Sequence, residues 1–356
     1  MKKWRVAGIN FDHFHMGDLL RMAHEHPAAE IVGLADPDPA RMEEARRNFG
    51  LAAGQLFTDA AACIEATRPD LLILCPAASR HGDWVEMVAP FGLPILLEKP
   101  FAGSLAEADR MIETCRRHGA ELIVNWPLAW SPGHQLAHRL IQEGRIGRLL
   151  SFHHYGGNRG PLYHGADKIE REPTAEMKAA SWFYSAAEGG GSLLDYMGYG
   201  ATMGSWHMGG RKPLEVSCMA DIPQGLEVDE HAVAVLRYDS GLSVTETRWG
   251  TFTDPWTHQP QPACGFIFNG SDGTLSCPDY ATELRMQTRD RPEGILVPVP
   301  PTVAPHCTPI EHVLHHLETD EPLIGPLTLE ISRIGQQIVD TAWHSAREGK
   351  ALPLMG

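Results

Sequence analysis

Short runs of Val, Ile and Leu alternate with helix-periodic stretches through the first 125 residues. The apolar runs cover residues 4–9, 30–35, 71–75, 94–97 and 121–125, and amphipathic stretches over 16–26, 39–49, 59–66, 82–90 and 105–118 separate them. Runs that are apolar on both faces, spaced by helices of this length, predict a parallel sheet covered on both sides. Right-handed crossovers between them give a doubly wound sheet, an α/β architecture of the Rossmann kind.

After a helix expected over 132–142 the texture changes. Strand-like runs at 149–155, 214–221, 230–238, 242–251, 265–269 and 283–287 are divided by turns such as Asp239-Ser240-Gly241 and Gly270-Ser271-Asp272-Gly273. These predict an α+β domain with a large, mostly antiparallel open sheet. A last helix is expected over about 328–347. Two domains follow, over 1–125 and 126–356. The irregular stretch 156–188 has the length of a binding loop or lid.

Composition narrows the class. The 356 residues are 43% hydrophobic and 21% charged, which suits a globular chain of two domains. A net charge of −15 argues against a nucleic-acid or anionic-membrane partner, since both need a basic surface. The longest nearly apolar run, residues 71–78, is far short of a membrane span. Seven scattered cysteines without a C-x-x-C pair read as reduced thiols, which points to the cytoplasm. Nineteen histidines include His13, His15, His153, His154 and His164, none at a tight ligand spacing such as H-E-x-x-H. Scattered site or surface histidines therefore account for them better than a metal centre, and no metal is expected.

Candidate chemistry begins at the first βα turn, Gly8-Ile9-Asn10-Phe11-Asp12-His13-Phe14-His15, where a dinucleotide's pyrophosphate would meet a helix N-terminus. No register gives G-x-G-x-x-G. Asn10 can take the left-handed conformation of a glycine, whereas Phe11, His13 and His15 crowd the turn and Asp12 would repel an anion that it faced. An ordinary strand-to-helix turn explains the stretch equally well. Asp36 ends the second strand, where a carboxylate accepts from ribose hydroxyls and repels a 2′-phosphate, favouring NAD over NADP. Asp36 or Asp38 also suits the helix N-cap before Pro39. Glu98-Lys99-Pro100 follows the run at 94–97, placing an ammonium at the carboxyl end of a parallel strand, the ligand-binding edge of such sheets.

Together with Glu98-Lys99-Pro100, four further stretches carry a family likeness: Cys75-Pro76 with His81; Asn125 with Pro127 and Trp130; Gly189-Gly190-Gly191-Ser192-Leu193-Leu194-Asp195; and the Asp229, Tyr238-Asp239-Ser240-Gly241 and Gly270–Gly273-Thr274 positions. In these the chain resembles the glucose–fructose oxidoreductase / inositol dehydrogenase (Gfo/Idh/MocA) family over nearly its whole length. The resemblance implies a Rossmann domain that binds the cofactor and a second domain for substrate and oligomerisation, with the last helix packing back on the first. It implies Gly8, Asn10, Phe11, Asp12, His13, Asp36, Cys75, Pro76, Glu98, Lys99 and Asn125 on the cofactor side. Lys99 and Asp195 match the family's catalytic positions. The histidine of the family's D-x-x-x-H pattern is replaced by Tyr199, and Phe183 stands where an arginine is common.

The function expected is an NAD-dependent oxidoreductase acting on a secondary alcohol of a sugar, polyol or sugar derivative. Lys99, Asp195 and Tyr199 would be its catalytic groups, and it would assemble as a homodimer or homotetramer through the second sheet. Because the turn and the histidine both depart from the pattern, two alternatives stand beside it. One is a non-redox sugar lyase or hydrolase, or an enzyme that keeps NAD tightly bound for internal redox. The other is a catalytically idle binding protein.

Overall fold

A computed structural model describes residues 3–165 and 169–356. It divides into two compact units. One comprises Met1–Asn125, His164–Glu170 and Ala304–Leu329; the other comprises Trp126–Tyr163, Arg171–Val303 and Glu330–Gly356.

The first unit holds strands β1 (Trp4–Ile9), β2 (Ala29–Ala35), β3 (Leu56–Phe57), β4 (Leu71–Leu74), β5 (Ile95–Glu98) and β6 (Leu122–Asn125). They form one six-stranded sheet in the order β3-β2-β1-β4-β5-β6, with every pairing parallel. This is the doubly wound order expected when the chain starts at the centre and winds outward twice. Helices α1 (His15–Glu25), α2 (Glu43–Asn48), α3 (Ala60–Thr67), α4 (His81–Val88) and α5 (Leu105–His118) connect the strands. β4 and β5 are buried along their whole length, as strands covered on both faces must be. Local chemistry sets the helix starts: Asp59 and Ser104 accept backbone amides of α3 and α5 as N-caps.

The second unit is built on a nine-stranded sheet ordered β14-β13-β12-β11-β7-β10-β9-β8-β15. Its strands are β7 (Leu149–Asn158), β8 (Glu215–Asp221), β9 (His231–Tyr238), β10 (Gly241–Trp249), β11 (Gly265–Gly270), β12 (Gly273–Pro278), β13 (Glu283–Thr288), β14 (Arg291–Pro298) and β15 (Leu352–Pro353). Only the β7–β10 pairing is parallel. Helices α6 (Pro132–Gln142), α7 (Ala175–Ala179), α8 (Met197–His207) and α10 (Leu329–Glu348) lie in or lead into this unit, whereas α9 (Pro309–Thr319) belongs to the first. The α/β class and the antiparallel character of the second sheet are as the pattern predicts.

The pattern left β3, β12, β14, β15, α8 and α9 unread. α8 is buried at every position, so it has no polar face and no helical period to detect. Its sequence, MGYGATMGSWH, trades side chains for close approach. A Cβ at Gly204 would overlap the Phe152 ring of β7, and one at Gly200 would overlap Thr245 and His154. Of the long stretch 156–188, residues 166–168 lie outside the described residues; the described rest holds the end of β7, α7 and short 3₁₀ turns.

Two faces of the second sheet differ sharply. The inner face carries Phe152, His154, Leu236, Thr245, Phe266, Phe268, Leu275 and Leu284, all buried. Helices α6 and α8 pack on it, and the Cys218 amide of β8 donates to Ser345 of α10 at 2.9 Å. Several histidines are enclosed there. His134 is held between Asp279 (2.7 Å) and Cys277 (3.7 Å), and His138 stacks on Trp206 at 4.1 Å. Strand register places Ser217, Val235, Val244, His153, Ile267, Ser276, Arg285 and Leu296 in one row across the outer face.

Burial lowers the pKa of His138 and of His154 to about 4. An unfolded histidine takes its proton near 6.5, so full stability is present above that pH and is lost as pH falls from 6.5 towards 4. Urea unfolding of a His138→Phe variant, which keeps the stacking on Trp206, is expected to lose less stability between pH 7 and pH 5 than the parent. The difference is on the order of 1–2 kcal/mol.

Candidate active site

Parallel pairing brings the carboxyl ends of β1, β2, β4, β5 and β6 to one edge of the first unit's sheet. On that edge lie the turn at residues 10–14, Asp36, Cys75-Pro76, Glu98-Lys99 and Asn125. Such an edge, where the winding reverses between β1 and β4, is the usual ligand crevice of an open α/β sheet.

The turn holds its shape through its own polar groups. Asn10 has φ of 65°, the left-handed value that glycine usually supplies, and its Oδ1 accepts the Asp12 amide at 2.8 Å. Asp36 turns inward: Oδ2 accepts the Phe11 amide at 2.7 Å and Oδ1 the Asp38 amide at 2.8 Å. Burial raises the pKa of its carboxyl, with these two amides pulling the other way. Capping falls to Asp38, whose side chain accepts the Ala40 amide. The N-cap left open between Asp36 and Asp38 thus falls to Asp38, and Asp36 takes a turn-closing role that the sequence did not suggest. One carboxylate closes the turn and the other starts the helix.

Asp12 is neutralised where it stands. It pairs with Arg41, lies 3.9 Å from Arg80 and accepts the Ala77 amide at 3.2 Å. The two arginines are about half exposed and offset the Asp12 carboxylate at the rim of the turn. A Cβ at Gly8 would come within 3.0 Å of Met16 Sδ, so the bare glycine lets α1 sit close on β1. The Cys75 carbonyl accepts the His13 amide at 2.9 Å, while burial pushes the Cys75 thiol well above its ordinary pKa and leaves it inert.

Glu98 is the centre of the edge. It is completely buried; Oε1 lies 2.7 Å from His15 Nδ1 and Oε2 accepts from Asn125 Nδ2 at 2.8 Å. Lys99 beside it is 4% exposed. His13 is enclosed 4.4 Å from the His15 ring, and its pKa falls well below the ordinary value through burial first and then the charges of His15, Lys99, His81 and His164. His81 ties two strand-end loops together, its ring nitrogens 3.1 Å from the Phe101 carbonyl and 3.2 Å from that of Pro76. His13, His15 and Glu98 present ligand atoms all within 4.8 Å of one another and could hold a metal ion.

In the second unit Asp195 and Tyr199 are both buried, one helical turn apart where a π-helical turn (Ser192–Tyr196) runs into α8. Tyr199 packs edge-on against Trp126 (5.6 Å) and Tyr196 (5.4 Å). Asp229 fixes the segment before them, accepting from Ser192 Oγ at 2.6 Å and from the Leu193 amide at 2.9 Å. Nearby in sequence, Lys178 lies over the rings of Tyr163 and Tyr184 and pairs with Glu230 at 3.5 Å.

The sequence-derived set thus gathers in two groups, one on each unit. Sequence reasoning passed over His15, Arg41, Arg80 and His81 as site residues. The H-x-H spacing and the arginines beside strand-end loops were the available signals.

A parallel sheet with its polar groups at the carboxyl edge, followed by a helix-backed antiparallel sheet, defines a two-domain protein of the dinucleotide-binding class. Two family models match the chain. One, described as an oxidoreductase family with an NAD-binding Rossmann fold, covers residues 2–126, and the other, the GFO/IDH/MocA C-terminal domain, covers 134–276. The chain belongs to the Gfo/Idh/MocA oxidoreductase family. It is 37% identical to a D-apiose dehydrogenase of Paraburkholderia graminis over 119 residues, 33% of this chain and 31% of that one. To an inositol 2-dehydrogenase of Streptomyces avermitilis it is 27% identical over 180 residues, 50% of this chain and 52% of that one. The matched segments thus span about a third to a half of those relatives. A levoglucosan dehydrogenase solved with NADH and levoglucosan superimposes with a TM-score of 0.80 over 100% of both chains at 17% identity, a likeness of fold. Among the described residues no helix is long and apolar enough to cross a membrane.

Asp36→Ala is expected to leave the part-buried Phe11 and Asp38 amides without their acceptor and to cost roughly 1–3 kcal/mol. Asp38→Ala removes an exposed cap at a cost of about 0.5–2 kcal/mol. Urea midpoints should therefore rank Asp36→Ala below Asp38→Ala; the reverse order would return the structural role to Asp38.

Proposed function

We propose that this chain is an NAD-dependent oxidoreductase that moves a hydride between a secondary alcohol of a sugar, polyol or sugar derivative and the nicotinamide. One observation carries the reading: Glu98, Lys99 and Asn125 converge, buried, on the strand edge of a domain whose family binds NAD. Dehydrogenases of apiose, inositol and levoglucosan among the relatives and structural neighbours support the substrate class.

The residues present suit a dinucleotide. Gly8 allows the close helix-to-strand packing, Asn10 takes the conformation of the missing glycine, and Arg41 and Arg80 supply positive charge beside the turn. Gly8, Asn10, Phe11, Asp12 and His13 would hold the pyrophosphate side, with Cys75, Pro76, Glu98, Lys99 and Asn125 at the nicotinamide side. The Asp36 charge would disfavour a 2′-phosphate, so NAD is proposed over NADP. When bound, the nicotinamide accepts or supplies the hydride. Lys99 Nζ is proposed to hold or move the alcohol proton, and Asp195 and Tyr199 are proposed as further catalytic groups. Tyr199 stands for the histidine that the family pattern places there.

A second reading draws on the turn. Its Phe11, Asp12 and His13 amides are already accepted by Asp36, Asn10 and the Cys75 carbonyl. A phosphate group gains less from donors so engaged, which favours a non-redox sugar enzyme as the rival. Fluorescence titration with NAD and NADP, followed by an absorbance screen at the reduced-nicotinamide band with D-apiose, inositols and levoglucosan, separates the two. NAD binding with substrate-dependent reduction is expected. Lys99→Met should then lower turnover by about 10²–10⁴ with little change in NAD affinity, and Tyr199→Phe with unchanged turnover would remove that residue from the chemistry. No binding of either dinucleotide would sink the redox reading.

The outer face of the second sheet supports a homodimer or homotetramer as the working form. Met219, Leu242, Ile267 and Leu296 are each at least half exposed on it, an apolar surface that a lone sheet would leave open to aggregation. Light scattering after size exclusion is expected to give a dimer or tetramer mass. Paired Ile267→Lys and Val235→Lys changes should shift it to a monomer.

A further inference from the structure

Two imidazoles and one carboxylate meet at the carboxyl edge of the first sheet, drawn from two separate stretches of chain. His13 and His15 stand either side of Phe14 where the first turn enters α1, and Glu98 ends β5. His15 Nδ1 and Glu98 Oε1 are 2.7 Å apart, and all three donors lie within 4.8 Å of one another. Adjacent ligands of one ion, each about 2.1 Å from it, are roughly 3 Å apart. A single hydrogen-bonded pair of His15 and Glu98 would need no second ring, yet His13 is buried 4.4 Å from His15 at the same place.

We propose that His13, His15 and Glu98 form a binding site for one divalent transition-metal ion. Surrounding groups are arranged for it. Asn125, paired with Glu98 in the strand register, donates to Oε2 and so leaves Oε1 facing the histidines. That is the orienting task of an outer-shell residue. His13 Nδ1 accepts the His15 amide at 3.1 Å.

The donor set selects the class of ion. Two nitrogens and one oxygen suit zinc, cobalt, nickel or ferrous iron, whereas calcium and magnesium need oxygen ligands throughout. Three protein ligands leave at least one coordination position for water or a ligand oxygen. His13 and Glu98 also stand on the proposed dinucleotide side, so the ion is sought in protein free of NAD.

Tag-free protein stripped with a chelator is titrated with Zn²⁺ and with Co²⁺, and bound metal per chain is counted by mass spectrometry after desalting. One equivalent is expected, with the visible absorption of Co²⁺ in a nitrogen and oxygen site and a rise in Tm on binding. His13→Ala, His15→Ala and Glu98→Gln should each weaken binding tenfold or more, and Mg²⁺ should not compete. A His315→Ala/His316→Ala variant, altered in two partly exposed histidines of α9, should bind as the parent does. Should an alanine variant fail to fold by circular dichroism, His13→Asn and His15→Asn take its place. Absence of a bound equivalent, or binding unchanged in the His13 and His15 variants, would overturn the proposal. Neither result touches the NAD titration, so the two readings fail separately.

Discussion

A carboxylate can be buried only with partners, and Glu98 is buried completely. Its two oxygens reach in opposite directions, one to His15 at the start of α1 and one to Asn125 at the end of β6. The first turn, strand β5 and the edge strand β6 are therefore fastened by a single side chain. The register that sets Glu98 beside Asn125 is the same parallel pairing that stacks Leu96 against Ile123 and Leu97 against Val124. Hydrophobic burial along the strands thus positions the polar groups at their ends, and Lys99 inherits its place from the residue before it.

Much of this architecture was legible because its elements obey simple periods. The runs that became β1, β4, β5 and β6 are short and mostly apolar, and the turn tetrapeptide Gly270–Gly273 marked the end of a strand in the second sheet. What escaped notice did so for physical reasons. β3 is two residues long. β14 carries Pro292 and Gly294, both poor strand residues. α9 had a readable start in Thr308-Pro309, but His312, His315 and His316 dilute its apolar stripe. In α8 the glycines that signal a loop in most sequences are the means of packing against Phe152 and Thr245.

The candidate site divides along the same line. Lys99 and Asp195 could be found from their place at a strand end and from family likeness. The His15 to Glu98 contact spans 83 residues of sequence and follows from the winding of the sheet, which no local pattern states. Asp12 read as a repulsive charge because its partners Arg41 and Arg80 sit on different connections. The inward direction of Asp36 depended on which amides the turn left unused.

That last feature has a bearing on how this scaffold can change. In many dinucleotide-binding domains the acidic residue after the second strand is a replaceable selector, and exchanging it redirects the enzyme between the two nicotinamide coenzymes. Here the same carboxylate is a structural keystone, holding the Phe11 and Asp38 amides. On the proposed NAD reading, position 36 would carry coenzyme preference and the integrity of the turn together. A lineage, or an engineer, seeking the phosphorylated coenzyme would have to leave position 36 alone and recruit a new cation from the rim where Arg41 already stands.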